Sequence, residues 1–287
     1  MGTETPALDL PADHPGVSDP EYRARRAAIA QVGGDHEPGR PIPDVVYAPE
    51  EHEVWRTVSQ ELAALHDTFA VSAYRDGAAR LDLPTDRVPQ LGEVSRRLVE
   101  LTGWAITPVS GLVPTRTFYG SLADRRFCST QYIRHHSVPF YTPEPDVVHE
   151  LVGHGNSLAE PRLAELYQLA GQASLRCEGE ATLEAFSRVF WFSLEFGVAW
   201  EEGELRAYGA GLLSSYGELQ VFREAEVRRL DTATMAATDY DIARYQPVLF
   251  AADSFASAHD ELAGFFAGWD DDAHARMVAA ASPPPPS

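Results

Sequence analysis

Two histidines five residues apart constrain this chain more than any other feature. His149 and His154 lie in DVVHELVGHGNSLAEPR, residues 146–162, with Glu150 beside the first. The stretch looks like the zinc-peptidase motif His-Glu-x-x-His with one residue added. A regular helix turns about 100° per residue, so residues five apart diverge by about 140°, and residues four apart by only about 40°. An unbroken α-helix therefore cannot aim both imidazoles at one ion. Gly153 and Gly155 flank His154 and can relax the helix there. Asp146 suits an N-cap, which predicts a helix over 146–153 with His154 at its loosened end. A two-histidine site fits this spacing; the peptidase arrangement does not.

Such a site needs a third ligand. Glu195 sits between Phe192 and Phe196 in the apolar run VFWFSLEFGVAW, residues 189–200. An ionised carboxylate in such surroundings costs several kcal/mol unless it is paired or bound to a metal. The nearby Arg188 and Arg206 are not three or four residues away. Two histidines and one carboxylate can form the facial triad of non-haem Fe(II) enzymes, which leaves coordination positions open. They can also hold zinc. A structural histidine pair and an ordinary ion-paired glutamate fit the same residues, so spacing alone leaves three readings open.

The rest of the chain reads as mainly α, a single-domain helical fold with a small β element. Val54, Val58, Leu62 and Leu65 lie on one helical face, as do Val94, Leu98 and Leu101, with Gly103 as a stop. Leu163, Leu166 and Ala170 follow Pro161, which suits a first helical turn. Residues 178–200 are too long an apolar stretch for a strand. Strand-like segments are few: ITPVSGLVP (106–114) and STQYIRHH (129–136). Residues 1–44, rich in Pro, Gly and Asp, read as an extended arm with a short helix at PEYRARRAAIAQV (20–32). Residues 45–280 form the domain, and ASPPPPS (281–287) a disordered tail.

The net charge of −20 disfavours nucleic acid and anionic membrane surfaces as partners. No run of about eighteen apolar residues suggests a membrane span, and the acidic N-terminus lacks the features of a signal peptide. Two cysteines, Cys128 and Cys177, exclude a disulfide framework. The expectation is a cytoplasmic protein.

Longer strings add a resemblance. TQYIRHHSVPFYTPEPDVVHELVGHGNSLAEPRLAELYQLAG, WFSLEFG (191–197), AYGAGLLSSYGELQ (207–220), PVSGLVPTRTFYGSLA (108–123) and YQPVLFAADSF (245–255) resemble blocks of the aromatic amino acid hydroxylases. They stand in that family's order over about residues 100–260. The resemblance implies Fe(II), a tetrahydrobiopterin-type cofactor and O2, with an aromatic amino acid as substrate. It implies that His149, His154 and Glu195 ligate the iron, and that the five-residue gap is the family's own. Phe118 would stack on the pterin, with Val113 and Glu150 lining the same side and Glu150 close enough to act in catalysis. Arg134 would clamp the substrate carboxylate, a guanidinium fork matching it bidentately. Asp146 would hold Arg134, and Thr142 and Ser214 would assist at the carboxylate and the metal shell. Trp191 and Phe127 would wall the substrate ring.

Gly155, Asn156, Phe190 and Cys128 depart from the animal pattern and leave the ring position open. Trp191 points to phenylalanine, with tyrosine as product; hydroxylation at the meta position, or of tryptophan, is the alternative. The short chain suggests a bare catalytic domain, a monomer or weak dimer. Two other classes compete: a zinc hydrolase with Glu150 as base, and a non-catalytic amino-acid-binding protein.

Overall fold

The computed structural model describes residues 10, 14–37, 39–242 and 244–281. Helices dominate, and local sequence explains where several begin and end. Helix Pro49–Phe69 buries Val54, Val58 and Leu62 along one face. Helix Leu91–Thr102 stops where Gly103 adopts φ +78°, a left-handed conformation that glycine accepts without steric cost. Helix Pro161–Ser174 opens with proline in its first turn, and the Glu160 carboxylate accepts from Leu163 N at 2.8 Å.

The β element is small, as expected, and its described strands form two short sheets. Strands β1 (Ala105–Pro108) and β2 (Arg126–Ser129) pair in parallel, Ile106 opposite Phe127. STQYIRHH, expected as a strand, contributes only its first residue to β2. The remainder leaves the sheet as irregular chain. A second sheet comprises β3 (Val198–Glu201), β4 (Glu204–Ala207), β5 (Glu226–Arg229) and β6 (Val248–Ala252), in the order β4-β3-β6-β5. The apolar stretch 178–200 accordingly changes character midway. It is helical from Glu180 to Glu195 and then enters β3.

Residues 1–44 were expected to be an extended arm with a short helix over 20–32. Among those described, Pro20–Gly34 forms a fifteen-residue helix that buries Ile29, Ala30 and Gly33. It docks on the segment leading to the histidines. Tyr22 donates to Ile133 O at 3.1 Å, and Arg26 pairs with Glu144 and lies 4.0 Å over the Tyr132 ring. The proline tail lies, from residue 282 onward, outside the described residues. No described helix is long and apolar enough to cross a membrane.

Candidate metal centre

The expected helix over 146–153, loosened at His154, is not what forms. Helical backbone continues through Leu158, and residues His149–Gly155 are wound as a π-helix. Its cap shows the register: Asn156 N donates to Leu151 O, five residues back. Hydrogen bonds to the fifth residue bring positions five apart nearly into line. That winding, rather than an unravelled end, turns His149 and His154 toward one point. Their Nε2 atoms are 3.0 Å apart.

The carboxylate arrives on a second π-helix, Trp191–Glu195, where Phe196 N donates to Trp191 O at 2.9 Å. Glu195 places Oε1 3.3 Å from His154 Nε2 and Oε2 4.0 Å from His149 Nε2. The outer ring nitrogens are occupied. His149 Nδ1 meets Ser214 Oγ at 2.8 Å, and His154 Nδ1 meets Tyr167 Oη at 2.8 Å. Partners on Nδ1 orient each ring and leave Nε2 for an ion. Two nitrogen ligands at right angles, each about 2.1 Å from one metal, stand about 3.0 Å apart, which the pair matches.

A second carboxylate competes for the role. His149, Glu150 and His154 also offer ligand atoms within 4.8 Å of one another. Electrostatics separates the two glutamates. Burial opposes charge on Glu195, but the adjacent His154 outweighs it and lowers the carboxyl pKa. Burial pushes Glu150 up to about 8, leaving it neutral at pH 7. An ionised carboxylate is the better ligand for a divalent ion, which makes Glu195 the stronger candidate for the third position. Burial lowers His149 to about 4, so its ring is neutral and fit to ligate. Burial also opposes charge on His154, but the Glu195 carboxylate outweighs it and raises that ring's pKa, so His154 gives up a proton when it takes an ion.

Around this centre the expected residues divide. Arg134 and Asp146 are buried and joined three times: Nε–Oδ2 2.9 Å, Nη2–Oδ1 2.7 Å, and Arg134 N–Oδ2 2.8 Å. Asp146 Oδ1 also accepts from His149 N at 3.2 Å, so it caps the ligand helix and holds the guanidinium at once. Trp191 is half-buried, stacked on Tyr240 with centroids 4.4 Å apart and planes at 12°. Phe118 is half-buried in helix Thr115–Ala123, edge-on to Phe127 at 5.8 Å. Val113 lies half-buried in the loop before that helix. Thr142 turns inward on its own loop, its Oγ1 donating to Glu144 O at 3.1 Å. Phe127, expected as an open wall, is 1% exposed and lies 4.6 Å from the His154 ring. Its ring packs on that of His154 and is closed to the surface.

Sequence reasoning missed Tyr167. Its signal was a tyrosine among the apolar positions of helix Pro161–Ser174, where a buried hydroxyl must find a partner. It missed Tyr240 and Gln246 for want of any local pattern.

Gly153 lets this assembly close. A Cβ there would stand 2.7 Å from the Ala210 carbonyl oxygen, in the short helix Ala210–Ser214 that carries Ser214. Gly153→Ala is expected to lower stability by about 1–3 kcal/mol through overpacking. It should also reduce metal content by displacing Ser214 from His149. Thermal melts and metal analysis of the purified variant check both.

Comparison with known proteins agrees with this geometry. The chain is 48% identical over 269 residues to a phenylalanine 3-hydroxylase of Streptomyces coeruleorubidus, covering 94% of this chain and 96% of that one. It is 46% identical over 263 residues to tyrosine 3-monooxygenase of Rattus norvegicus, covering 90% of this chain but 53% of that protein. Phenylalanine hydroxylase of Chromobacterium violaceum, solved with bound Fe(III), superposes with TM-score 0.77 at 30% identity, covering 89% of this chain and 93% of that one. The family model for biopterin-dependent aromatic amino acid hydroxylases matches residues 4–276. With two imidazoles and a carboxylate converging on one point and that match spanning nearly the whole sequence, the chain belongs to the biopterin-dependent aromatic amino acid hydroxylases.

Proposed function

We propose that the chain hydroxylates the ring of phenylalanine, using a ferrous ion, a tetrahydropterin and O2. The observation carrying this reading is the convergence of His149 Nε2, His154 Nε2 and Glu195 with both Nδ1 atoms already engaged. The choice of phenylalanine is supported by the full-length likeness to the Streptomyces enzyme.

When bound, iron and reduced pterin together supply the activation of oxygen; the protein's part is placement. His149, His154 and Glu195 hold the ion from one side. Glu150 supplies a proton-bearing group beside it. Its Oε1 faces Thr130 N at 3.4 Å, which leaves Oε2 to carry the proton. Phe118 and Val113 border the pterin, and Trp191 borders the amino acid ring. Arg134 receives the amino acid carboxylate. Asp146 occupies its Nε and Nη2, and Pro139 O accepts from Nη1 at 3.4 Å, so the second N–H of each Nη atom is what a carboxylate would contact at two points.

Ring position is the finer question. Trp191 speaks for phenylalanine as substrate, with the para product, tyrosine, as the first expectation. The Streptomyces relative, matched along nearly all of both chains, is named for hydroxylation at carbon 3, and that likeness makes meta the first reading and para the second. Iron-loaded protein incubated with phenylalanine, a tetrahydropterin and O2 is expected to give meta-tyrosine. Tyrosine as the main product would favour the second reading. Failure to hydroxylate phenylalanine, tyrosine or tryptophan would overturn both.

A further inference from the structure

Trp191 is held through its Nε1–H, by Tyr240 and by Phe196, whose ring lies 4.7 Å away between centroids at 34°, and one residue outside the metal centre makes the first hold and ties down the chain beside the second. Its Nε1–H donates to Gln246 Oε1 at 3.0 Å. Its face stacks on Tyr240, and Tyr240 belongs to the loop leading to β6 that Gln246 also ties down. Gln246 Nε2 donates to Asp241 O at 3.0 Å and to Arg244 O at 2.9 Å. The Gln246 backbone is fixed in turn, its N–H donating to Glu218 Oε1 at 2.6 Å. Gln246 and Glu218 are each 5% exposed, so water does not compete for these bonds. The indole edge is therefore tied, through one amide, to the carbonyls of Asp241 and Arg244, next to and beyond the Tyr240 ring.

We propose that Gln246 is a positioning residue for the aromatic wall: by fixing the plane of Trp191 and the place of Tyr240 together, it sets how the substrate ring lies and which ring carbon faces the metal. Glu218 acts through Gln246 by anchoring its backbone. This inference rests on the reading of Trp191 as the substrate wall.

The physical reason is rotational. An indole with its Nε1–H engaged has one preferred plane. Without that acceptor the ring keeps its stacking but can slide or flip against Tyr240, because stacking is tolerant of offset. A substrate ring packed on it would follow, loosening registry with the oxidising centre.

Gln246→Leu removes the acceptor and both amide donors at similar volume. The expected result is a KM for phenylalanine raised roughly fivefold, the scale of one lost neutral hydrogen bond, with KM for the pterin unchanged within about twofold. The meta-to-para product ratio should shift, and more pterin should be consumed per amino acid hydroxylated. Glu218→Gln keeps a side-chain oxygen for the Gln246 N–H and should preserve the wild-type ratio, whereas Glu218→Leu should imitate Gln246→Leu. If Gln246→Leu does not fold, the two Glu218 variants carry the test alone. A merely structural role would lower melting temperature and kcat while leaving product ratio, coupling and the KM split as in the wild type, and that pattern would overturn the proposal. A wild type that leaves phenylalanine unmodified would instead count against the assigned substrate.

Discussion

Glu195→Gln is expected to abolish stable iron binding and to cut pterin-dependent turnover by about 10³ or more, whereas Glu150→Gln keeps its iron. Losing a mere partner of a metal ligand typically costs 10- to 100-fold, so loss of a charged ligand exceeds that range. The two carboxylates stand side by side around His149 and His154, and distance alone does not rank them. Their charge states do. Glu195 is held ionised by His154, while burial keeps Glu150 neutral at pH 7. An amide imitates a neutral carboxyl in shape but cannot supply the charge that a divalent ion demands. Substitution at 195 therefore removes something essential to binding, and substitution at 150 does not. Iron per protein after gel filtration, measured for both variants, decides the matter. Iron lost from Glu150→Gln and retained by Glu195→Gln would reverse the assignment. Glu150→Gln should still show slower turnover, since the amide has no proton to give.

The difference between what could and could not be read in advance follows the range of the interactions. Gly103, Pro161 and the Val54–Val58–Leu62 face act within a turn or two of their own position, and the elements they announce are present. The π-winding at 149–155 has no such local signature. An extra residue per turn weakens packing along the helix axis, so it persists only where tertiary contacts impose it, here Ala210 against Gly153 and Tyr167 against His154. A rigid α-helix was the natural premise for His149 and His154, and under it five-residue spacing looked wrong. The resemblance to a family named these residues as ligands before any geometry brought them together. Strand β3 was hidden for a related reason. Val198 and Ala199 are buried by neighbouring strands, so they read as a continuation of the apolar helix before them. Gln246 was invisible because its partners, Trp191 and Glu218, lie 55 and 28 residues away.

Arg134→Leu is expected to destabilise the protein by about 3–5 kcal/mol at neutral pH, because it strands the Asp146 carboxylate in a buried position. For a chain of this size that corresponds to a melting temperature lower by on the order of 10 °C. The pH dependence gives the cause away. Burial raises the Asp146 pKa, but the Arg134 guanidinium outweighs it and holds the carboxyl below its ordinary value of 3.8. In the wild type its stabilisation is therefore present above that ordinary value and lost as pH falls through the depressed one. In Arg134→Leu the guanidinium is gone and burial, the largest influence, is opposed only by the two backbone N–H donors, so the pKa rises and acidification neutralises the stranded group. The gap between variant and wild type should be widest near pH 7 and narrow toward pH 4, as thermal melts across that range would record. A gap independent of pH would mean lost packing rather than lost charge. The double variant Arg134→Leu/Asp146→Asn separates structure from binding. The asparagine still accepts from His149 N and carries no charge, so most of the stability should return. The carboxylate clamp should not: KM for the amino acid is expected to stay about 100-fold above the wild type, the scale of a lost buried charged contact. Recovery of KM along with stability would show that Arg134 serves the fold and leaves the substrate carboxylate to another group.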